Sequence, residues 1–160
     1  MTRIRVAAEY DAPPATVWAA VEQVDTHVDW MADAEVIRFM TDRTEGVGTR
    51  FECVTKIGPI RLTDRMEITE WEPGRSMGVR HTGVVTGTGR FTIDPLDDGR
   101  RTRFSWEEEL TFPWWLGGRI GAAIGAPAVL RRIWQGNLRR LRPLVERPVS
   151  SGDLGAEPSQ

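Results

Sequence analysis

The chain has 160 residues, with 23 acidic and 21 basic side chains and a net charge of −2, and its pI is near 5.8. That length suits one domain with one core, and the mild acidity gives no electrostatic footprint for nucleic acid. A single cysteine, Cys53, excludes an internal disulfide, and Lys56 is the only lysine among many arginines, a usage that points to a GC-rich bacterial genome.

Met1-Thr2-Arg3 leads into a strand pattern rather than an apolar signal core, so the cytoplasm is the expected location. Ile4, Val6 and Ala8 alternate with Arg3, Arg5 and Glu9, which predicts a first strand over Arg3 to Tyr10. Proline is tolerated in a first helical turn, and Val17, Trp18, Val21 and Val24 recur at helical spacing, so a helix is predicted from about Pro14 to Val24. A second short helix is predicted over Asp25 to Ala32, with Val28 and Met31 inward, Trp30 closing the turn, and His27 on the surface beside Asp25 and Asp29.

From Glu35 onward, strand patterns follow one another at short intervals, the signature of an antiparallel meander. Strands are predicted near Glu35 to Thr41, Gly48 to Ile57, Ile60 to Trp71, Arg75 to Thr82, Val85 to Asp94 and Arg101 to Phe112, with glycine or proline in the turns between them. The linkers are too short for parallel crossovers. Pro113 to Arg147 follows, with Pro113-Trp114-Trp115, glycines at 117, 121 and 125, and an amphipathic helix from Ala128. At 100° per residue, Leu130, Ile133, Trp134, Leu138, Leu141, Leu144 and Val145 share one stripe, and Asn137 lies within it. The segment before Ala128 is expected to act as a gate and the segment after it as a clamp. Residues 148–160 lack apolar periodicity and read as a disordered tail.

Ala12-Pro13-Pro14-Ala15-Thr16-Val17-Trp18, Trp30, the hairpin Ile68-Thr69-Glu70-Trp71-Glu72-Pro73-Gly74-Arg75 and the ending Gly136-Asn137-Leu138-Arg139-Arg140-Leu141-Arg142-Pro143-Leu144-Val145-Glu146 carry a resemblance. The chain resembles the START-related, Bet v 1-like (SRPBCC) superfamily, in its bacterial polyketide cyclase/dehydrase and lipid-transport branch, over about Ile4 to Glu146. The resemblance implies an α+β helix-grip fold: a curved seven-stranded antiparallel sheet around a long C-terminal helix, two short helices between strands 1 and 2, and an apolar cavity between sheet and helix. Pro143 departs from that branch's pattern and is expected to bend or end the helix.

Period-2 parity turns Phe51, Cys53, Met66, Met77, Val79, Phe91 and Trp106 inward. It also turns three ionisable residues inward, Asp64, His81 and Glu108, with Gly87 and Gly89 between the last two, where missing side chains would leave room for a ligand. Two readings of these three stand side by side. In one they form a polar patch whose carboxylates and imidazole contact a ligand or exchange protons with it. In the other a bulge flips the parity, Glu108 joins Glu107 and Glu109 on a solvated edge, and Asp64 pairs with Arg65 or Arg80. Trp134 and Asn137 add candidate contacts from the helix; Asn137 is equally a buried amide satisfied by backbone. Trp115, with Trp114, is either core or an exposed lip for ligand access or transient membrane contact.

Cys53 has no cation beside it to activate it. Two histidines and one cysteine show no metal-ligand spacing, and no nucleotide motif is present, so neither metal nor cofactor is expected. The leading expectation is a binding protein for a small hydrophobic molecule (lipid, isoprenoid, quinone or polyketide-like). Beside it stand an enzyme, a cyclase, aromatase or dehydratase using Asp64, His81 and Glu108 as acid and base, and a regulatory interaction module. The pattern carries no signal for oligomeric state or for stable membrane insertion.

Overall fold

In a computed structural model, which describes residues 1–116 and 126–147, the alternation at the start of the chain becomes β1 (Thr2–Tyr10), with Ile4, Val6 and Tyr10 buried. Helix α1 (Pro14–Val21) and a 3₁₀ helix (Val24–Asp29) follow. The meander is β2 (Ala34–Phe39), β3 (Arg50–Ile57), β4 (Ile60–Glu72), β5 (Ser76–Thr82), β6 (Thr86–Leu96) and β7 (Arg101–Thr111). Short 3₁₀ turns at Asp97–Gly99 and Trp114–Leu116 flank β7, and α2 runs over Ala126–Val145.

The seven strands form one curved antiparallel sheet in the order β1-β7-β6-β5-β4-β3-β2. Each meander strand therefore lies beside its sequence neighbour, and β1 closes the far edge by pairing with β7, Val6 opposite Trp106 and Ile4 opposite Glu108. This is the expected α+β helix-grip architecture. The predicted strand limits are met to within two residues.

The apolar stripe of α2 lies against the sheet. Leu130, Trp134, Leu138, Leu141 and Val145 are buried, each such side chain contributing about 1.5–3 kcal/mol by leaving water. Trp134 stacks on Trp106 with ring centroids 4.5 Å apart, and the Tyr10 hydroxyl donates to the Leu138 carbonyl at 2.8 Å.

Two local expectations are corrected. Pro143 does not end α2, which continues to Val145, with Glu146 N–H bonding the Arg142 carbonyl at 2.9 Å. Lying in the last turn, proline costs only the bond to the exposed Arg139, whose carbonyl solvent can serve, while buried Val145 keeps the turn docked. The second short segment is 3₁₀ rather than α-helical, so residues three apart share a face. Val24, His27 and Trp30 are buried, Val28 and Met31 only half-buried, and His27 is a core residue rather than a surface one. The glycines at 117, 121 and 125 and the tail 148–160 lie outside the described residues.

Candidate functional site

A cavity of about 160 Å³ lies between the sheet and α2. Phe51, Met66, Met77 and Val79 wall it from β3, β4 and β5; Phe91 and Trp106 come from β6 and β7; Leu130 and Trp134 close it from α2. Phe91 and Trp106 meet edge to face at 5.4 Å, and Trp30 packs behind both. Mobile unbranched thioethers among the lining residues, Met31, Met66 and Met77, can repack around differently shaped apolar groups.

The polar wall is built by strand register. Met66 lies opposite His81 across β4 and β5, so Asp64, two residues back on the same face, is the diagonal neighbour of His81. Val79 pairs with Gly89 and Gly89 with Glu108, so β6 separates His81 from Glu108 without interposing a side chain. A Cβ on Gly89 would lie 3.1 Å from Val79 Cγ2 and 3.2 Å from Glu108 Cδ. A side chain at 89 would crowd Glu108 on the face where it approaches His81.

They do meet, and all three are more than nine-tenths buried. His81 Nδ1 donates to Asp64 Oδ2 at 2.5 Å. Its Nε2 is 3.3 Å from Glu108 Oε2, close enough for charge attraction but not aligned as a hydrogen bond, which leaves this buried nitrogen without a hydrogen-bond partner. Glu108 Oε1 accepts from Trp106 Nε1 at 2.8 Å. Burial alone would lower the His81 pKa, but close contact with the Asp64 and Glu108 carboxylates outweighs it and raises it to about 10. His81 is therefore an imidazolium at neutral pH. The alternative in which Asp64 pairs with Arg65 or Arg80 is not what the fold adopts; those arginines bind Glu52 and Glu67.

Three candidate contacts fall elsewhere. Asn137 is fully buried but does not line the cavity. Its Oδ1 accepts from Ala32 N at 2.9 Å and its Nδ2 donates to Asp33 Oδ1 at 2.7 Å, so it latches the chain before β2 onto α2. Gly87 also does not line the cavity. Its φ is +141°, and a Cβ there would sit 1.9 Å from the Glu109 carbonyl oxygen, so glycine is required for strand approach rather than ligand room. Trp115 is 54% exposed and Trp114 83% exposed; neither lines the cavity and neither is core.

Two wall residues escaped the sequence reading. Asp33 lines the cavity, and burial raises its carboxyl pKa although Asn137 opposes this. Its parity was unreadable because the β2 pairing is irregular between Ala34 and Val36. His27 lines the cavity too; burial lowers its pKa to about 4 against a 2.7 Å hydrogen bond from Nε2 to the Val21 carbonyl, so it is neutral. Cys53 faces the cavity as expected, and burial pushes its thiol up to about 11, so it is no nucleophile at neutral pH. Among the described residues no group of three potential ligands is placed to hold a metal ion, and no helix is long and apolar enough to cross a membrane.

A sequence model of the family described as polyketide cyclase / dehydrase and lipid transport matches residues 1–146. No curated protein matches significantly. Among solved structures, the chain is similar to a START superfamily protein from Mycobacterium smegmatis at a TM-score of 0.73 and 11% identity, covering 90% of this chain and 97% of that one. It is similar to TTHA0849 from Thermus thermophilus at 0.71 and 18%, covering 90% and 97%. The Zhui aromatase/cyclase from Streptomyces sp. R1128 aligns at 0.66 and 17%, covering 90% of each chain. At these identities the structural likeness concerns the fold.

Proposed function

Because the chain belongs to the polyketide cyclase/dehydrase and lipid-transport family, we propose that it binds a small hydrophobic molecule in the cavity between sheet and α2. The observation that carries this reading is the cavity itself, about 160 Å³ of space inside a fold whose walls are mostly aromatic and aliphatic. Drug-sized ligands occupy about 300–1,000 Å³, whereas about 150 Å³ accepts a molecule the size of benzene. The cavity as it stands thus suits one ring, and larger ligands require the methionines to move aside. The test is fluorescence titration of the seven tryptophans with single-ring apolar compounds, alongside native mass spectrometry of protein purified from its own host. Saturable quenching and a retained ligand mass are expected; a linear, unsaturable response to every compound with no retained mass would remove the reading.

A second reading is favoured by one specific observation, the convergence of Asp64, His81 and Glu108 within hydrogen-bonding or charge-contact distance. Here His81 Nε2 gives a proton to a carbonyl oxygen while Glu108 takes one from the adjacent carbon, the acid and base of an enolisation leading to ring closure or dehydration. The similar Streptomyces protein, an aromatase/cyclase, is consistent with such chemistry. Turnover of a poly-β-keto thioester analogue that Glu108→Gln abolishes, while leaving its binding intact, distinguishes this reading from binding alone.

A further inference from the structure

The polar wall offers one donor and one acceptor side by side. His81 Nε2 is buried and has no hydrogen-bond partner. Across 3.3 Å stands Glu108 Oε2, the oxygen that Trp106 does not use. A hydroxyl group is the smallest function that satisfies both, accepting from the imidazolium through a lone pair and donating its own proton to the carboxylate. A ketone or aldehyde oxygen only accepts, and an ether likewise.

Charge narrows the choice further. Asp33 before β2, Asp64 on β4 and Glu108 on β7 all face the cavity, against His81 as its cation. The remaining charged residue at the wall, Arg90 on β6, is held by Glu70 at 2.8 Å, and His27 is neutral. A ligand carboxylate would bring another acceptor-only anion into a wall already supplied with carboxylates, at a desolvation cost that the one His81 N–H, already facing Glu108, offsets only in part. An ammonium would leave the His81 donor unmatched and place two cations together.

We propose that the ligand is an uncharged, single-ring molecule whose hydroxyl inserts at the 3.3 Å contact of His81 Nε2 and Glu108 Oε2, the two side chains parting to admit it, and that carboxylate-bearing molecules, free fatty acids included, are refused. This rests on the cavity-binding reading above. The ring would lie against the Trp106 and Trp134 face, with Phe51, Met66 and Val79 filling the remaining wall.

The test compares four probes of nearly equal size at pH 7, p-cresol, toluene, benzaldehyde and benzoate, by isothermal titration and ligand-observed NMR. Hydrogen bonds to charged groups are worth enough to give p-cresol an advantage of about tenfold or more over toluene. Benzaldehyde should fall between them, and benzoate should give no saturable binding. In Glu108→Gln the p-cresol advantage over toluene should shrink; a variant that does not fold leaves the four wild-type affinities to decide. Equal affinity for toluene and p-cresol, benzaldehyde matching p-cresol, or benzoate as the tightest probe overturns the hydroxyl assignment and leaves cavity binding standing. Failure of all four to bind removes both.

Discussion

The two histidines should titrate at opposite ends of the pH scale although both are buried and line one cavity. For His81, burial favours the neutral ring, yet Asp64 at 2.5 Å and Glu108 at 3.3 Å hold the proton on until about pH 10. For His27, burial is the largest influence, and the Val21 carbonyl offsets only part of it, so the ring stays neutral down to about pH 4. The linkage signs follow from proton counting against an ordinary histidine pKa of about 6.5. Between about 6.5 and 10 the folded state keeps a proton on His81 that the unfolded state has released, so its contribution to stability is complete below 6.5 and is lost as pH rises to 10. Between about 4 and 6.5 the unfolded chain protonates His27 and the folded one does not, so that contribution is complete above 6.5 and is lost as pH falls to 4. Each limb has a limiting slope of about 1.4 kcal/mol per pH unit. The assay is NMR titration of the two ring resonances, assigned with His27→Gln, together with urea unfolding from pH 4 to 10. Glu108→Gln should lower the His81 pKa by about 1 to 3, since it removes one opposite charge in close contact, and should shorten the alkaline limb accordingly. A wild-type His81 that titrates near 6.5, or an alkaline limb unchanged in His81→Gln, would refute the charge arrangement.

Leu141 is fully buried beneath the sheet, so Leu141→Ala should cost about 2–5 kcal/mol in urea unfolding. Trp115→Ala, at an exposed position, should change stability by less than about 0.5 kcal/mol while altering the rate of ligand uptake; equal losses in the two variants would show that the lip is core. Gly89→Ala places a methyl 3.2 Å from Glu108 without backbone strain, so it should fold, cost about 1–3 kcal/mol by crowding, and weaken p-cresol binding. Gly87→Ala meets the Glu109 carbonyl oxygen and a positive φ, so it should lose more stability than Gly89→Ala and, in whatever fraction folds, leave the p-cresol preference intact.

What was legible in the sequence follows from where one periodicity holds without interruption. Within β4 from Ile60 to Glu67, and within β7 from Arg101 to Leu110, strand pairing runs without a register shift, so counting by two inside each strand places Asp64 and Glu108 inward correctly. The pairing irregularity between Ile68 and Glu70 falls beyond Met66 and His81, and therefore leaves their shared face untouched. Parity fails where the local period changes: the 3₁₀ segment carries His27 inward on a three-residue repeat, and the irregular start of β2 hides Asp33. Asn137 shows a different limit. Helical periodicity correctly buried it, yet burial does not say which of two neighbours claims an amide, and the chain at Ala32 and Asp33 claims it before any ligand can. Gly87 and Gly89 mark the same limit on the sheet. They stand two apart in one strand, identical to any pattern of residue types, yet one is required by a backbone carbonyl and the other opens a passage between two side chains. Only the third dimension assigns those roles, because each depends on what the neighbouring strand places above the glycine. The resulting site thus joins a pattern that sequence specifies, three inward ionisable residues, to a gap that only packing reveals, the space at Gly89 beside Glu108 where β6 interposes no side chain between Glu108 and the Asp64–His81 pair.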